Sequence, residues 1–317
     1  MEIITNPIQV EIKKAAQALK DGHLVAFPTE TVYGLGADAT NEKAVSRVYS
    51  VKGRPTDHPL IVHISSINQL DKWAVVIPEY AINLAKEFWP GPMTLILKRS
   101  EIAKDFITGG QANVGVRVPS HPVALALLSE FEKLGGLGVA APSANRFGAV
   151  SPTSALDVVE ELQGYLNYMD TIIEGGACSV GLESTIINCT NRKPEILRYG
   201  AITEDLIKSV TGLDFNSNGR QSVKSSGTLN KHYSPKAKVE VGTTASVGDG
   251  FIAISMIETP KGAVRLSSPK TIEEFAQNLY YALRLGDKMK LQRIVVTPPD
   301  GQGLAQAIRD RLRKASN

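Results

Sequence analysis

The hydrophobic positions of this chain follow two different periods. Short apolar runs of strand length alternate with segments in which apolar residues recur every three or four positions, as on one face of a helix. The helical pattern covers residues 10–20, a segment that Asn41 can cap, and residues 82–88, 123–133 and 153–162. The strand pattern covers HLVAFP, PLIVHI, MTLILK, VGVRVP, GLGVAAP, TIIEGG, ESTIINC and EILRYG. This alternation predicts an α/β fold with a mixed sheet.

The pattern changes at Leu213. The stretch DFNSNGRQSVKSSGTLNKHYSP is polar, rich in Ser, Gly and Asn, and lacks an apolar period, which indicates a linker. Its length is unusual for an idle connection, since long loops are often functional. Beyond it, FIAIS, AVRLS and QRIVVTP read as strands, Thr271 and Glu274 can form a capping box, and residues 304–314 form a closing helix. We therefore predict a first domain over 1–212, a linker over 213–236 and a smaller α/β domain over 237–317.

Composition restricts the class of protein only loosely. The chain has 317 residues, of which 43% are hydrophobic and 21% charged, as in an ordinary folded protein of about two domains. Its net charge of +3 is weak for a dedicated nucleic-acid binder but suits a protein that handles phosphates locally. Cys178 and Cys189 are too few for a disulfide framework and lack metal-site spacing. Without a signal-peptide pattern or an apolar run of membrane-spanning length, we expect a cytoplasmic protein with no membrane contact.

Two glycine-rich segments resemble nucleotide-binding motifs without meeting their requirements. Gly34 and Gly36 have the spacing of a dinucleotide fingerprint, but PTETVY separates them from the preceding strand, and the next helix begins several residues later. We expect these glycines to turn a loop tightly or to let a ligand approach the backbone. The loop that ends at Gly181 has the spacing of a Walker A motif, but Leu and Glu follow where Lys and Ser or Thr are required.

Basic side chains recur near the ends of predicted elements. Lys52 and Arg54 follow a helix, where they either complement its dipole or clamp a phosphate or carboxylate. Arg117 lies inside the strand VGVRVP, and a buried arginine needs an anionic partner, either an internal carboxylate or a ligand. His58 and His63 flank and end the strand PLIVHI, where a histidine is more often structural than functional. The residues alone leave these alternatives open.

Hydroxyl and amide side chains follow other predicted strands. In APSAN, Ser143 and Asn145 can cap the next turn, or they can face a phosphate or a metal-bound water. GLESTI and LRYG place Ser184 and Arg198 at strand ends, where open α/β sheets bind their ligands.

Six motifs occur in a fixed order: PTETVYGLG, KGRP with HPLIVHI, VGVRVP, APSAN with SPT, GLESTI, and LRYGAI. In this order they closely resemble the YrdC-like threonylcarbamoyl-AMP synthases, and KHYSP with the small C-terminal unit resembles the longer, two-domain form. The resemblance covers essentially the whole chain, and six ordered motifs are far more specific than any one of them. It implies a twisted, open mixed sheet with a concave, positively charged cleft, joined to a smaller Rossmann-like α/β domain.

The resemblance also implies an ATP-using enzyme of tRNA modification. Members of the family convert L-threonine, bicarbonate and ATP to threonylcarbamoyl-adenylate and pyrophosphate. A separate transferase complex then moves the threonylcarbamoyl group to the adenosine beside the tRNA anticodon. We expect Mg²⁺ to arrive with ATP, held by phosphates and water rather than by an acidic cage of the protein. We expect KHYSP to lie at the nucleotide, so that the linker closes over the active site, and a weak contact with RNA stays open.

By motif position, the resemblance implies two sets of binding residues. The set for L-threonine is Thr31, His63, Arg117, Ala141 and Ser184. The set for ATP is Lys52, Arg54, His58, Asn113, Ser143, Asn145, Ser151, Arg198 and Tyr233. Lys52 and Arg54 are also implied as catalytic residues, acting through charge and positioning rather than acid–base chemistry. His58 stands where the family usually has Asn, and Asn113 stands where it usually has Thr.

Two other functions share parts of this pattern. A concave basic sheet can hold double-stranded RNA, but the weak net charge and an aromatic content of only 6% argue against an RNA-binding module. A carbamoyl-adenylate enzyme of the hydrogenase-maturation type shares this domain, but it needs zinc-binding cysteines and further domains that we do not find in this sequence. A requirement for threonine in pyrophosphate release separates the synthase from both.

Overall fold

The computed structural model describes residues 1–4, 9–215, 223–225 and 232–317, and its strands form two sheets. The strands of the large sheet are β1 (Glu2–Ile4), β2 (Val25–Phe27), β3 (Gly34–Asp38), β4 (Ile61–His63), β5 (Met93–Lys98), β6 (Asn113–Arg117), β7 (Val139–Ala140), β8 (Thr171–Ile173), β9 (Thr185–Asn188) and β10 (Glu195–Arg198). The strands of the small sheet are β11 (Lys238–Val241), β12 (Gly250–Ile252), β13 (Val264–Ser267) and β14 (Arg293–Val296). The helices are α1 (Gln9–Lys20), α2 (Glu42–Lys52), α3 (Leu70–Trp73), α4 (Glu79–Phe88), α5 (Asp105–Thr108), α6 (Pro122–Lys133), α7 (Ala155–Leu162), α8 (Glu204–Thr211), α9 (Ile272–Lys288) and α10 (Leu304–Ala315).

The two sheets have different topologies. The ten-stranded sheet has the order β1-β8-β2-β3-β7-β4-β6-β5-β9-β10 and mixes parallel pairs such as β4 with β6 and antiparallel pairs such as β2 with β3. The four-stranded sheet has the order β11-β14-β12-β13, and all its pairs are parallel. The predicted α/β class, the mixed sheet and the second, smaller Rossmann-like domain are confirmed.

Local sequence signals account for several of the helix boundaries. Asn41 caps α2 by accepting a hydrogen bond from the amide of Ala44 at 3.1 Å, and Gly53 ends the helix in the left-handed region at φ 62°. Thr271 caps α9 in the same way, by accepting from the amide of Glu274. The Glu274 carboxylate accepts from the amide of Lys270 instead of closing the predicted capping box.

Of the two alternatives expected for Gly34 and Gly36, the tight loop is wrong, while the approach of a ligand to the backbone stays a prediction. The segment Gly34–Asp38 is not a tight loop but a buried strand, β3, which pairs with β2 in antiparallel register. A Cβ at Gly36 would lie 2.7 Å from a methyl carbon of Val139 and 2.8 Å from the ring of Phe27. The glycine there permits close packing within the sheet. Because no helix follows β2 directly, the rejection of a dinucleotide fingerprint is confirmed.

The elements that the sequence pattern does not predict are short or half-buried. They are β1, α3, α5, α8 and β11. Within the predicted linker, residues 216–222 and 226–231 lie outside the described residues, and the Lys231 of KHYSP is among them. The proposed domain boundaries at 212 and 236 stay predictions. Among the residues that the structure describes, no helix is both long and apolar enough to cross a membrane.

The two domains share one apolar cluster. Val32, Val150 and Leu182 of the first domain are buried with Leu279 and Phe275 of α9. Because burial of such side chains is the main favourable term in folding, this cluster holds the C-terminal domain against the face of the large sheet that carries PTETVYGLG and GLESTI.

Candidate active site

The motifs of the first domain meet around one small cavity of about 50 Å³. Its walls come from the ends of strands and the loops that follow them, as expected for an open α/β sheet. Residues of the linker complete the wall. The residues that line the cavity are Thr29, Thr31, Val32, Gly34, Arg54, Ile61, His63, Arg117, Ala141, Pro142, Ser143, Glu183, Ser184, Arg198, His232 and Tyr233.

The predicted threonine set lies along one side of this cavity. His63 and Arg117 end the parallel strands β4 and β6, where they stand opposite each other in register. One guanidinium nitrogen of Arg117 donates to the hydroxyl of Thr31 at 2.9 Å. The structure therefore brings together Thr31, His63 and Arg117 with Ala141 and Ser184, the five residues of this set. Their role in binding threonine stays a prediction.

Glu30 is a site residue that sequence reasoning missed. Its carboxylate lies 2.7 Å from a second guanidinium nitrogen of Arg117, and both side chains are almost completely buried. The other carboxylate oxygen accepts from the amide of Ser120 at 3.1 Å. Of the two anionic partners considered for Arg117, the structure provides the internal carboxylate. The sequence could have identified this residue, because Glu30 is the acidic residue of PTETVYGLG and a buried arginine requires an anionic partner.

His63 is neutral in this site. Burial, reinforced by the charge of Arg117, lowers the pKa of His63 to about 3. Burial has the same effect on His232 of the linker, whose pKa is also lowered to about 3. A neutral imidazole can both donate and accept a hydrogen bond, so His63 can orient a polar ligand but does not supply charge at neutral pH.

These two histidines should make the protein acid-sensitive. Because their folded pKa values lie below the unfolded value of about 6.5, the unfolded state binds the extra protons. The stabilising contribution is therefore complete above about pH 6.5 and is lost as the pH falls toward 3, at ~1.4 kcal/mol per histidine and pH unit. Urea unfolding at pH 7 and pH 5 should show a smaller pH dependence for His63→Gln and His232→Gln than for the unmodified chain. The half-buried His23 provides the control His23→Gln, and equal pH slopes in all four proteins would contradict the assignment.

The ammonium of Lys52 bonds the APSAN loop rather than the carbonyls at the end of its own helix. Lys52 is the last residue of α2, only 2% exposed, and its ammonium donates to the backbone carbonyls of Ser143 and Asn145 at 2.5 Å each. Burial, and then the nearby charge of Arg54, lowers its pKa. Lys52 therefore stands directly behind the APSAN loop, while Ser143 lines the cavity itself.

Arg54 does face the cavity. Its guanidinium donates to the carbonyl of Pro59 at 3.0 Å and lies 5.7 Å from the centre of the Phe147 ring. Burial lowers the pKa of Arg54 to about 10, which leaves the group charged at neutral pH. The neighbouring His58 contributes its backbone carbonyl to Arg54 and packs its ring edge-on against Phe147, 5.4 Å away. Its imidazole is not part of the cavity lining.

The remaining predicted ATP residues fall into two groups. Asn145 and Ser151 stand behind the wall: the Asn145 amide donates to the carbonyls of Arg146 and Ala149, and the Ser151 hydroxyl donates to Glu183 at 2.7 Å. Asn113 lies apart, in a separate cavity of about 10 Å³ that the linker residues 223–225 cover. The structure does not bring Asn113 to the main cavity, and its contact with ATP stays a prediction.

Arg198, Ser184 and Tyr233 complete the opposite side. Arg198 donates to the carbonyl of Ser184 at 3.0 Å and to its hydroxyl at 3.1 Å, and that hydroxyl also hydrogen-bonds Thr94. Tyr233 is 1% exposed with φ 63°, and its hydroxyl has no hydrogen-bond partner among the described residues. Its neighbour His232 likewise lines the cavity.

The charges around the cavity favour anions. Within the described ranges, two buried carboxylates, Glu30 and Glu183, lie among five buried cations in or directly behind the wall: Lys52, Arg54, Arg117, Arg198 and Arg311. Such desolvated cations can bind carboxylate, carbonate and phosphate groups more strongly than they would in water. In the same part of the chain, no group of three or more His, Cys, Asp or Glu side chains is arranged to hold a metal ion.

Comparison with known proteins agrees with the motif series. Residues 17–200 match the profile of the Sua5, YciO and YrdC family, described as "Telomere recombination", and residues 202–317 match the "Threonylcarbamoyl-AMP synthase, C-terminal domain". The threonylcarbamoyl-AMP synthase of Pyrococcus abyssi is 41% identical over 96% of this chain and 94% of its own length. The synthase of Bacillus subtilis strain 168 is 38% identical over 99% and 95%.

A solved structure extends the similarity to three dimensions. The crystal structure of P. abyssi Sua5 in complex with L-threonine superimposes with a TM-score of 0.89 at 39% identity, covering 100% of this chain and 98% of that chain. The match includes both sheets and both predicted domains. This chain therefore belongs to the threonylcarbamoyl-AMP synthase family, a family of enzymes.

Proposed function

We propose that the cavity binds L-threonine, bicarbonate and ATP and converts them to threonylcarbamoyl-adenylate and pyrophosphate. The observation that carries this proposal is the meeting of Arg117, Arg198 and Arg54 around one small space with the hydroxyls of Thr31 and Ser184. Three anionic reactants require such a concentration of buried cations, and two hydroxyls suit the polar groups of an amino acid. The P. abyssi relative, which was solved with L-threonine, supports the choice of amino acid.

The reaction balances without an additional reactant. The uncharged amine of threonine attacks the carbon of bicarbonate, a C–N bond forms, and water leaves to give the carbamate. An oxygen of that carbamate then attacks the α-phosphorus of ATP, and the bond to the bridging oxygen breaks with release of pyrophosphate. Because each step joins two reactants, positioning and charge stabilisation supply most of the acceleration.

The residues of the site have different roles according to their positions. Arg117 and Thr31 hold the carboxylate of threonine, His63 and Ser184 orient its polar groups, and the backbone at Ala141 contributes a further contact. An arginine has five N–H donors, so Arg117 can keep its pairing with Glu30 while it binds a second carboxylate. Of the ATP set, the residues that line the cavity act on the nucleotide directly: Arg54, Ser143, Arg198 and Tyr233. Lys52, Asn145 and Ser151 support the wall from behind. The contacts of His58 and Asn113 with ATP stay predictions.

Mg²⁺ enters as part of the substrate MgATP. The polar side chains that line the cavity are mainly arginines and hydroxyls, which suit phosphate oxygens better than a bare divalent ion. The ion therefore keeps phosphate and water ligands. The product passes to a separate tRNA threonylcarbamoyl transferase complex, because an acyl-adenylate needs an acceptor.

The first prediction tests this reaction directly. Purified protein should release pyrophosphate from MgATP only when both threonine and bicarbonate are present, and mass spectrometry should detect threonylcarbamoyl-adenylate. Serine should be the poorer substrate by ~10–200-fold in kcat/KM, because one methyl group in a pocket contributes ~1–3 kcal/mol.

Three control reactions omit threonine, bicarbonate or protein. Equal pyrophosphate release without an amino acid would reject the proposal and indicate a simple ATPase. Binding of double-stranded RNA without threonine-dependent pyrophosphate release would favour the RNA-binding alternative.

A further inference from the structure

The carboxylate of Glu183 joins the two domains. It accepts from the hydroxyl of Ser151 at 2.7 Å, from the hydroxyl of Tyr280 at 2.9 Å and from the guanidinium of Arg311 at 2.8 Å. Tyr280 belongs to α9 and Arg311 to α10, and both are completely buried. Glu183 itself lines the cavity next to Ser184. A carboxylate of the active-site wall is thus held by side chains of the C-terminal domain.

The same two residues form a seat for Tyr233 of the linker. The rings of Tyr233 and Tyr280 are stacked, with centres 5.7 Å apart and planes at 25°. The guanidinium of Arg311 lies 5.4 Å from the centre of the Tyr233 ring, which places a cation near an aromatic ring. Two backbone hydrogen bonds fix the flanking linker: His232 donates to the carbonyl of Lys314, and Ser234 donates to that of Gly148.

We propose that Tyr280 and Arg311 are positioning residues for the reaction, which hold Glu183 in the cavity wall and seat Tyr233 over the cavity. This inference rests on the proposed function for its catalytic consequence. It gives the C-terminal domain a specific task, because both side chains come from that domain and neither lines the cavity.

Electrostatics explains why the pairing matters. The neighbouring charges of Arg311 and Arg198 overcome the effect of burial and lower the pKa of Glu183 to about 2, so the carboxylate is ionised. An ionised carboxylate in a cavity for anions repels them unless a cation offsets it. Arg311 provides that offset. Its two other guanidinium nitrogens donate to Asp310 at 2.8 Å and to the carbonyl of Tyr199 at 2.8 Å.

The test uses substitutions that preserve packing, in the full chain. Tyr280→Phe removes only the hydroxyl that donates to Glu183, and Arg311→Lys keeps the charge but loses the planar set of donors. Matched controls are Tyr281→Phe, at the next position of α9 and 53% exposed, and Arg313→Lys, whose side chain is 62% exposed on α10. Thermal unfolding shows which proteins are folded.

Two readouts are measured. We expect kcat/KM for ATP to fall at least 10-fold in Tyr280→Phe and Arg311→Lys and to stay within twofold in the controls. We also expect the backbone amides of His232 and Ser234 to exchange their hydrogens at least 10-fold faster in Arg311→Lys, without substrates, and at the normal rate in Tyr280→Phe, which keeps the ring that stacks on Tyr233. Hydrogen exchange does not depend on the reaction, so faster exchange supports the seat even if the chain makes no threonylcarbamoyl-adenylate.

A double-mutant cycle distinguishes positioning from general loss of stability. If Arg311 acts through Glu183, then Glu183→Gln combined with Arg311→Lys should be no more than twofold worse in kcat/KM than the worse single variant. Multiplying effects in this cycle would overturn the inference. So would folded Tyr280→Phe and Arg311→Lys proteins with normal kcat/KM, or a folded Arg311→Lys protein with unchanged exchange at His232 and Ser234.

Discussion

Replacing Lys52 with methionine should lower kcat/KM for ATP by about 100- to 1,000-fold, which is the usual cost of removing one preorganised donor from a site of developing charge. Methionine keeps the length of the side chain but cannot donate to the carbonyls of Ser143 and Asn145. The APSAN loop then loses its anchor, and the cavity loses a cation close behind its wall. The measurement is steady-state pyrophosphate release at varied ATP concentration.

The same substitution should also lower the free energy of unfolding, by more than the loss of a helix-dipole partner would. Loss of two charge-assisted hydrogen bonds from a buried group should lower the free energy of unfolding by ~3–6 kcal/mol, compared with ~0.3–1 kcal/mol for a dipole partner. The exposed Lys43 on the same helix gives the matched control Lys43→Met, which should change neither quantity. Near-normal turnover in Lys52→Met would contradict the assignment.

A substitution at Arg54 separates loss of activity from loss of stability more clearly. Its guanidinium lines the cavity and donates to the carbonyls of His58 and Pro59. Arg54→Ala should reduce kcat/KM for ATP by a similar factor, with a smaller loss of stability than Lys52→Met, because the carbonyls of His58 and Pro59 lie in a half-buried loop where water can replace the donor. The exposed Lys104 offers the control Lys104→Ala. A variant that melts normally and turns over normally would exclude Arg54 from the phosphate site.

Removing the ring of Tyr233 should abolish retention of the adenylate and lower kcat/KM at least 10-fold. Tyr233 lines the cavity, and the closure hypothesis holds that its ring keeps water away from an acyl-adenylate that hydrolyses readily. Tyr233→Ala also leaves a void in a packed seat, so a loss of stability of ~3–5 kcal/mol is expected. The measurements are product formation by mass spectrometry and the fraction of product that stays bound after gel filtration.

Tyr233→Phe isolates the contact with ligand. Because the hydroxyl is buried without a hydrogen-bond partner among the described residues, its removal should leave the free energy of unfolding unchanged or slightly higher. Any loss of ATP affinity then reports a contact that the hydroxyl makes with the nucleotide. Exposed Tyr281 supplies the control Tyr281→Ala for the larger truncation.

A chain that ends at Gly212 is the more drastic test of the linker. It lacks the linker and the C-terminal domain, and it exposes Val32, Val150 and Leu182, which pack against α9 in the full chain. We expect it to make less threonylcarbamoyl-adenylate and to retain none. If this chain and Tyr233→Ala both made and retained product as well as the full chain does, the closure hypothesis would be wrong.

The linear sequence was sufficient for the α/β class, most strands and helices, and the family. Periods of two and of about 3.6 residues are local properties, and so are caps such as Asn41, so they can be read without knowing the fold. The short strand β1 and the helix α8 were not predicted, because a segment of three to eight residues has too few positions to show a hydrophobic period. Gly36 of β3 was misread as part of a tight loop. A glycine is needed there because Phe27 and Val139, which belong to other strands, approach its backbone closely.

The sequence by itself determined which residue types this protein has for binding anions, and in which motifs they stand. Only the tertiary structure decided their partners: Glu30 beside Arg117, the APSAN carbonyls on Lys52, and Glu183 between the domains. The residues of these pairs are 87 to 128 positions apart along the chain. Their meeting depends on which strands become neighbours and how two apolar faces dock, and a buried charge reveals only that some partner must exist.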